Sequence, residues 1–239
     1  MTGRIDIHCH LLPGVDDGCT TLDESLACAR MFVATGYTHC FCTPHIWPNL
    51  DNSVQTIPAR VARLQTTLNE AGIPLRVLAG GEVSLGPHAL DIAPEQIVTY
   101  AMNRKFVLID FWADKLPAFF EPTVARWKSF GLTVTLAHPE RMRAIQDDPA
   151  LADAIVDMGV LLQGNFQCFS DPRGSSTRRT AEKFLAERKY FALATDLHGV
   201  GTIQSRLRGL ENVQKLVTPE ALQTLLRKNP ATLLPESEL

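Results

Sequence analysis

No stretch of the 239 residues approaches the roughly 18 consecutive apolar positions that a membrane-spanning helix needs. Insertion into a membrane through a helix is thereby excluded. Basic runs are also missing, and a formal net charge of -3 leaves no electrostatic footprint for nucleic acid. The chain reaches the charged, strand-like stretch Arg4 to His8 almost at once, which leaves no room for a signal peptide. Its six cysteines (Cys9, Cys19, Cys28, Cys40, Cys42 and Cys168) follow no regular framework and mostly lie inside apolar segments, as expected of reduced thiols in a cytoplasmic protein. Internal repeats, low-complexity tracts and linkers are absent too, so residues 1–239 are expected to form one domain.

What is present is an ordinary globular composition, 45% hydrophobic and 21% charged, long enough to bury a core. Strand-like runs are expected at 4–8, 38–43, 75–83, 106–111, 133–137, 160–163 and 190–195. Helical stretches fall between them, from a cap at Thr21 to the stop at Gly36, then at 54–70, 122–130, 150–158 and 177–188, with two more at 202–216 and 219–228. Seven strand–helix units argue for a parallel sheet wrapped by helices and closed into a barrel; an open doubly wound sheet is the alternative. Residues 165–176 read as a loop.

The opening run Asp6-Ile7-His8-Cys9-His10 puts two histidines on one face of a strand, because residues i and i+2 point the same way. Cys9, between them, faces away and packs. A Pro-Gly turn then brings Asp16 or Asp17 back toward the pair. Further histidines and acids recur at strand ends, where barrel active sites are built: His45, Glu82, Asp110, His138, and the pair Asp196 and His198. Five of the seven histidines fall at these positions, and chance placement would rarely concentrate them so. Nine such groups exceed what one ion needs, about four to six donors, and imply two or three divalent cations sharing Glu82. Clustered cations generate hydroxide at neutral pH and stabilise displacement at phosphorus. Arg141, three residues past His138, is placed to clamp phosphate oxygens.

The motifs Asp6-Ile7-His8-Cys9-His10 with Asp16-Asp17-Gly18, Thr43-Pro44-His45, Gly81-Glu82, His138-Pro139-Glu140-Arg141 and Asp196-Leu197-His198 resemble those of the polymerase-and-histidinol-phosphatase (PHP) superfamily. Within it they resemble the bacterial tyrosine phosphatases found with capsule and exopolysaccharide synthesis. The resemblance implies an α/β fold of the distorted seven-stranded (β/α) barrel type and a trinuclear site. Manganese is the first choice of metal, with iron, zinc, cobalt and magnesium as alternatives. It implies His8, His10, Glu82 and Asp196 around a first ion, with Glu82 bridging to a second held by Asp110 and His138. Asp17, His45 and His198 would hold a third. Arg141 matches the catalytic arginine, and Arg206 resembles a second phosphate-binding arginine. Asp110 stands where this branch carries a glutamate.

The implied reaction is phosphomonoester hydrolysis, with a metal-bound hydroxide attacking phosphorus while Arg141 holds the phosphate, and a tyrosine kinase tail as substrate. The alternatives are a small-molecule phosphatase for histidinol phosphate or a sugar phosphate, and a non-catalytic metal-binding module. A cysteine-based tyrosine phosphatase is excluded, because none of the six cysteines has an arginine six residues later. His88, after Gly86-Pro87, is a candidate substrate contact, and His39 is read as structural. Phe166, Phe169, Trp47 and Trp112 are read as packing residues, with lining of a ring-binding pocket as the alternative. The apolar stripe of the helix 21–35 suits barrel packing and a homo-oligomer face equally.

Overall fold

The computed structural model describes residues 3–238. Among the described residues, nine parallel strands run Arg4–Cys9 (β1), Tyr37–Cys42 (β2), His45–Ile46 (β3), Arg76–Ala79 (β4), Glu82–Ser84 (β5), Phe106–Asp110 (β6), Thr133–Ala137 (β7), Leu161–Asn165 (β8) and Tyr190–Ala194 (β9). They form a three-stranded sheet, β1-β2-β4, and a six-stranded one, β3-β5-β6-β7-β8-β9.

The seven expected strand regions are all present; the third divides between the sheets, and the second, expected to end at Thr43, is followed by a separate short strand in the other sheet. The stretch 37–46 splits at Pro44, and the stretch 76–84 splits at Gly80-Gly81. Pro44 has no N–H for a ladder, yet its carbonyl accepts from Glu82 N–H at 3.0 Å, and Gly80 N–H donates to Cys42 O at 3.0 Å. The two interrupted stretches therefore change sheet together. On the far side, Cys9 bridges Leu197, His10 N–H donates to Leu197 O at 3.0 Å, and Asp196 N–H donates to His8 O at 2.7 Å. The expected closed ladder is thus reduced, among the described residues, to two parallel sheets that meet along these seams.

Helices cover the outer faces. Helix α1 (Leu22–Ala34) starts where Thr21 Oγ1 accepts from Glu24 N–H, and it buries Ser25, Cys28, Ala29 and Phe32. Helix α2 (Thr56–Glu70) buries Ile57, Val61, Leu64 and Leu68, the spacing of one helical face. Next come α3 (Phe120–Ser129), α4 (Arg143–Asp147) and α5 (Leu151–Asp157). Residues 165–176 are not one loop: Asn165 caps a short helix, α6 (Phe166–Ser170), before α7 (Ser176–Ala186). Helix α6 presses on α8 (Ile203–Leu216) so closely that a Cβ at Gly209 would meet the Phe166 carbonyl oxygen at 1.8 Å. Only glycine allows that approach, which fixes the segment next to the C-terminal ends of β8 and β9. Phe166 and Phe169 are fully buried and serve the core, not a pocket. None of the described helices is long and apolar enough to cross a membrane.

Candidate metal centre and active site

The strands end in one cavity of about 360 Å³, lined by Asp17, His45, Trp47, Glu82, Trp112, His138, Arg141, Gln167, Asp196, His198 and Arg206. His8, His10 and Asp110 lie beneath it, fully buried. Nine candidate ligands separated by up to 190 positions in the chain are therefore neighbours.

His8 and His10 aim their Nε2 atoms at the same point. These atoms are 3.3 Å apart, and Glu82 Oε2 lies 3.3 Å from the first and 3.4 Å from the second. Asp196 Oδ1 lies 3.5 Å from both. The outer nitrogens are already used. His8 Nδ1 meets Gln163 Oε1 at 2.6 Å, and Gln163 turns that oxygen inward by donating its amide N–H to Gly164 O. His10 Nδ1 donates to Asp16 Oδ2 at 2.7 Å. With those nitrogens occupied, the rings in their neutral form would point two nitrogen lone pairs, beside two carboxylate oxygens, at one centre. A cation about 2.0–2.2 Å from each donor would hold those donors at about this mutual spacing. Outer-sphere oxygen partners of this kind are what orients metal-binding imidazoles.

Two further groups adjoin this one. Asp17 Oδ1 lies 3.3 Å from His45 Nε2 and 3.4 Å from His198 Nε2, with His10 within reach of the same set. Glu82 joins His45 Nδ1 at 3.0 Å through Oε2 and His138 Nε2 at 2.9 Å through Oε1, and Asp110 completes this side. His45 thus faces both groups, and His10 reaches beyond the first. Seven buried side-chain nitrogen or oxygen atoms lack a hydrogen-bond partner among the described residues. Five of them belong here: His45 Nδ1, Glu82 Oε2, Asp110 Oδ1, His138 Nδ1 and Asp196 Oδ1. Buried polar atoms are rarely left so. Their concentration at one spot, with this donor chemistry, fits divalent cations.

The electrostatics express the same demand for positive charge. Burial works to raise Glu82, but the charge of His8 and contacts from His10, His138 and His45 hold it well below the usual carboxylate range. Asp196 is lowered in the same way, mainly by His8 and His10. The two rings move upward although burial opposes it. Asp110 differs: burial and the charge of Glu82 push it up to about 6, against the opposing pull of His138, His45 and the Trp112 Nε1–H that donates to its Oδ2 at 2.7 Å. Two candidate ligands carry left-handed backbone, His138 at φ 34° and Asp196 at φ 49°. Such strain, of order 1–3 kcal/mol each, clusters at functional sites.

The two arginines are held differently. Arg141 is partly exposed and donates one N–H to Asp196 Oδ2 at 2.9 Å. Arg206 is buried and donates to Thr195 O, Asp196 O and Ser205 Oγ, so it braces the strained turn that carries Asp196. His88 is exposed on the turn Pro87–Leu90 and does not line the cavity.

Several contributors lie outside the assigned ligand set, although the Pro-Gly turn also offers Asp16 as the alternative to Asp17. Asp16 accepts from His10, from Gly18 N–H and from His45 N–H, fixing the first loop. Asn165 Nδ2 donates to Asp196 Oδ2 at 2.6 Å, and buried Glu140 holds Asn165 N–H and the Tyr190 hydroxyl. Asp16→Ala is expected to weaken cation affinity by about 10–100-fold, the usual cost of losing an imidazole's outer partner. Calorimetric titration of the stripped protein with manganese reads this directly, and native affinity would remove Asp16 from the centre.

Residues 4–235 match the family described as capsular polysaccharide synthesis, CpsB/CapC, and the chain belongs to it. It is 30% identical over 203 residues to the tyrosine-protein phosphatase YwqE of Bacillus subtilis, covering 83% of this chain and 78% of that one. Against the tyrosine-protein phosphatase CpsB of Streptococcus agalactiae, identity is 26% over 203 residues, with coverage of 82% and 83%. A solved chain from the structures of YwqE of Bacillus subtilis and CpsB of Streptococcus pneumoniae, described as unique metal-dependent tyrosine phosphatases, superposes with a TM-score of 0.78 at 27% identity. That match covers 92% of this chain and 94% of the other.

Proposed function

We propose that the chain is a single catalytic domain that hydrolyses phosphotyrosine in proteins, using divalent cations held by His8, His10, Asp17, His45, Glu82, Asp110, His138, Asp196 and His198. The two sheets are read as a distorted seven-stranded barrel. The observation that carries the reading is the convergence of His8 Nε2, His10 Nε2, Glu82 Oε2 and Asp196 Oδ1 within 3.5 Å contacts, beside a partly exposed arginine in an open cavity. Bound divalent cations supply hydroxide at neutral pH and neutralise charge on phosphate oxygens. The protein's own groups do the rest. Arg141 offers a planar pair of N–H donors to the phosphate, Asn165 keeps Asp196 turned inward, and Arg206 holds the backbone beneath it. The family's description and the relatives' names support a phosphotyrosine protein of capsule synthesis as substrate; a tyrosine kinase tail is the first candidate, and manganese the first metal to try.

Chelation is expected to abolish hydrolysis of phosphotyrosine peptides, and manganese to restore it. Full turnover in metal-free protein would overturn the reading. A panel of phosphotyrosine peptides against histidinol phosphate and sugar phosphates separates the protein substrate from a small one, with higher kcat/KM on the peptides expected.

A further inference from the structure

A large aromatic ring kept in water forgoes the stabilisation its burial would bring, unless its exposed surface is used for recognition. Trp112 is such a ring. It is 59% exposed, more than any of the other exposed large hydrophobic residues, and it lies on the wall of the catalytic cavity. It is nevertheless well fixed. Its Nε1–H donates to Asp110 Oδ2 at 2.7 Å, its centroid lies 5.6 Å from that of His138, and the Arg141 guanidinium sits 5.1 Å from its centroid. The other cavity tryptophan, Trp47, is stacked on His45 at 4.2 Å with an interplanar angle of 16°, whereas the group over Trp112 is the Arg141 guanidinium itself.

We propose that Trp112 is the specificity-determining residue that favours aryl over alkyl phosphates, by packing against the ring of the leaving group. The proposal rests on the phosphatase reading above. A phosphate paired with Arg141 lies beside the indole, because the guanidinium is already there. The proposal places the leaving group along the indole. A flat phenol gains aromatic contact on that path, whereas a glycerol or serine carbon chain gains little. The same residue positions Asp110 through its N–H, so two substitutions are needed to separate the roles. Trp112→Phe keeps a ring and loses the N–H; Trp112→Leu loses both.

The test uses the manganese-loaded full chain and compares kcat/KM for phenyl phosphate with that for glycerol phosphate. In W112L the aryl-to-alkyl ratio is expected to fall about 3- to 10-fold, mostly through KM for the aryl ester, while W112F keeps most of it. Calorimetric binding of phenylphosphonate and methylphosphonate gives the same comparison without turnover, and elemental analysis follows the effect on Asp110 separately. An unchanged ratio in W112L, in either assay, overturns the proposal. If the native protein hydrolyses neither these esters nor a phosphotyrosine peptide, the phosphatase reading falls. The phosphonate pair still decides: selective weakening of phenylphosphonate in W112L supports ring selection, and equal weakening of both ligands overturns it.

Discussion

Glu82→Gln is expected to strip the protein of cations and to cut hydrolysis of phosphotyrosine peptides by about a thousandfold or more, since each 1.36 kcal/mol of lost stabilisation is tenfold in rate. Four imidazoles converge on this one carboxylate. Oε2 lies 3.3, 3.4 and 3.0 Å from nitrogens of His8, His10 and His45, and Oε1 lies 2.9 Å from His138. Glutamine keeps the volume and removes the charge, so the change falls on the centre and not on the surrounding packing. An amide that turned its N–H2 toward the cluster would also donate where a lone pair is needed. Elemental analysis of the purified variant, with its melting temperature as the control for folding, checks the claim. Native cation content with native turnover would show that Glu82 does not join the groups.

The candidate ligands that the fold brings together were legible because strand geometry has a period of two and barrel chemistry gathers at strand ends. His8 with His10, Glu82, His138 and Asp196 all follow from that rule. The partners behind them do not. Gln163 and Asn165 are amides in an apolar strand, and nothing in their type tells a binding role from a tolerated polar one. What assigns them is the register of β8, which places His138 N–H on Gln163 O at 2.7 Å and turns both side chains toward the centre. Asp16 was adjacent to the assigned Asp17, and only the contact with His10 Nδ1 separates their roles. Helix α6 was invisible for a different reason. Five residues show no periodicity, and the segment is held by its contact with Gly209, some 40 positions away. The division of two strands between sheets had a local signal in Pro44 and Gly80-Gly81, but those residues mark a break without saying which sheet the chain joins next.

Arg141, by its spacing from His138, and Arg206, by resemblance alone, are both expected to bind phosphate, and their surroundings part them. Among the described residues the hydrogen bonds of Arg206 run to the turn 195–196 and Ser205, so its removal disturbs the fold there whatever it also offers to the cavity it lines. Arg141 has one internal acceptor and a partly exposed side chain. Arg141→Ala is therefore expected to lower kcat/KM by about 10²–10³-fold, the usual cost of losing one fixed donor to a developing anion, while cation content stays native. The second half follows from Asn165, whose 2.6 Å hydrogen bond still orients Asp196 when the guanidinium is gone. Arg141→Lys is expected to recover little, because an ammonium replaces a planar pair of donors by a point charge on a different reach. Steady-state kinetics and elemental analysis on the same sample separate the two roles open to Arg141. If cations are lost together with turnover, Arg141 acts by holding Asp196. If they stay while turnover falls, it acts on the phosphate.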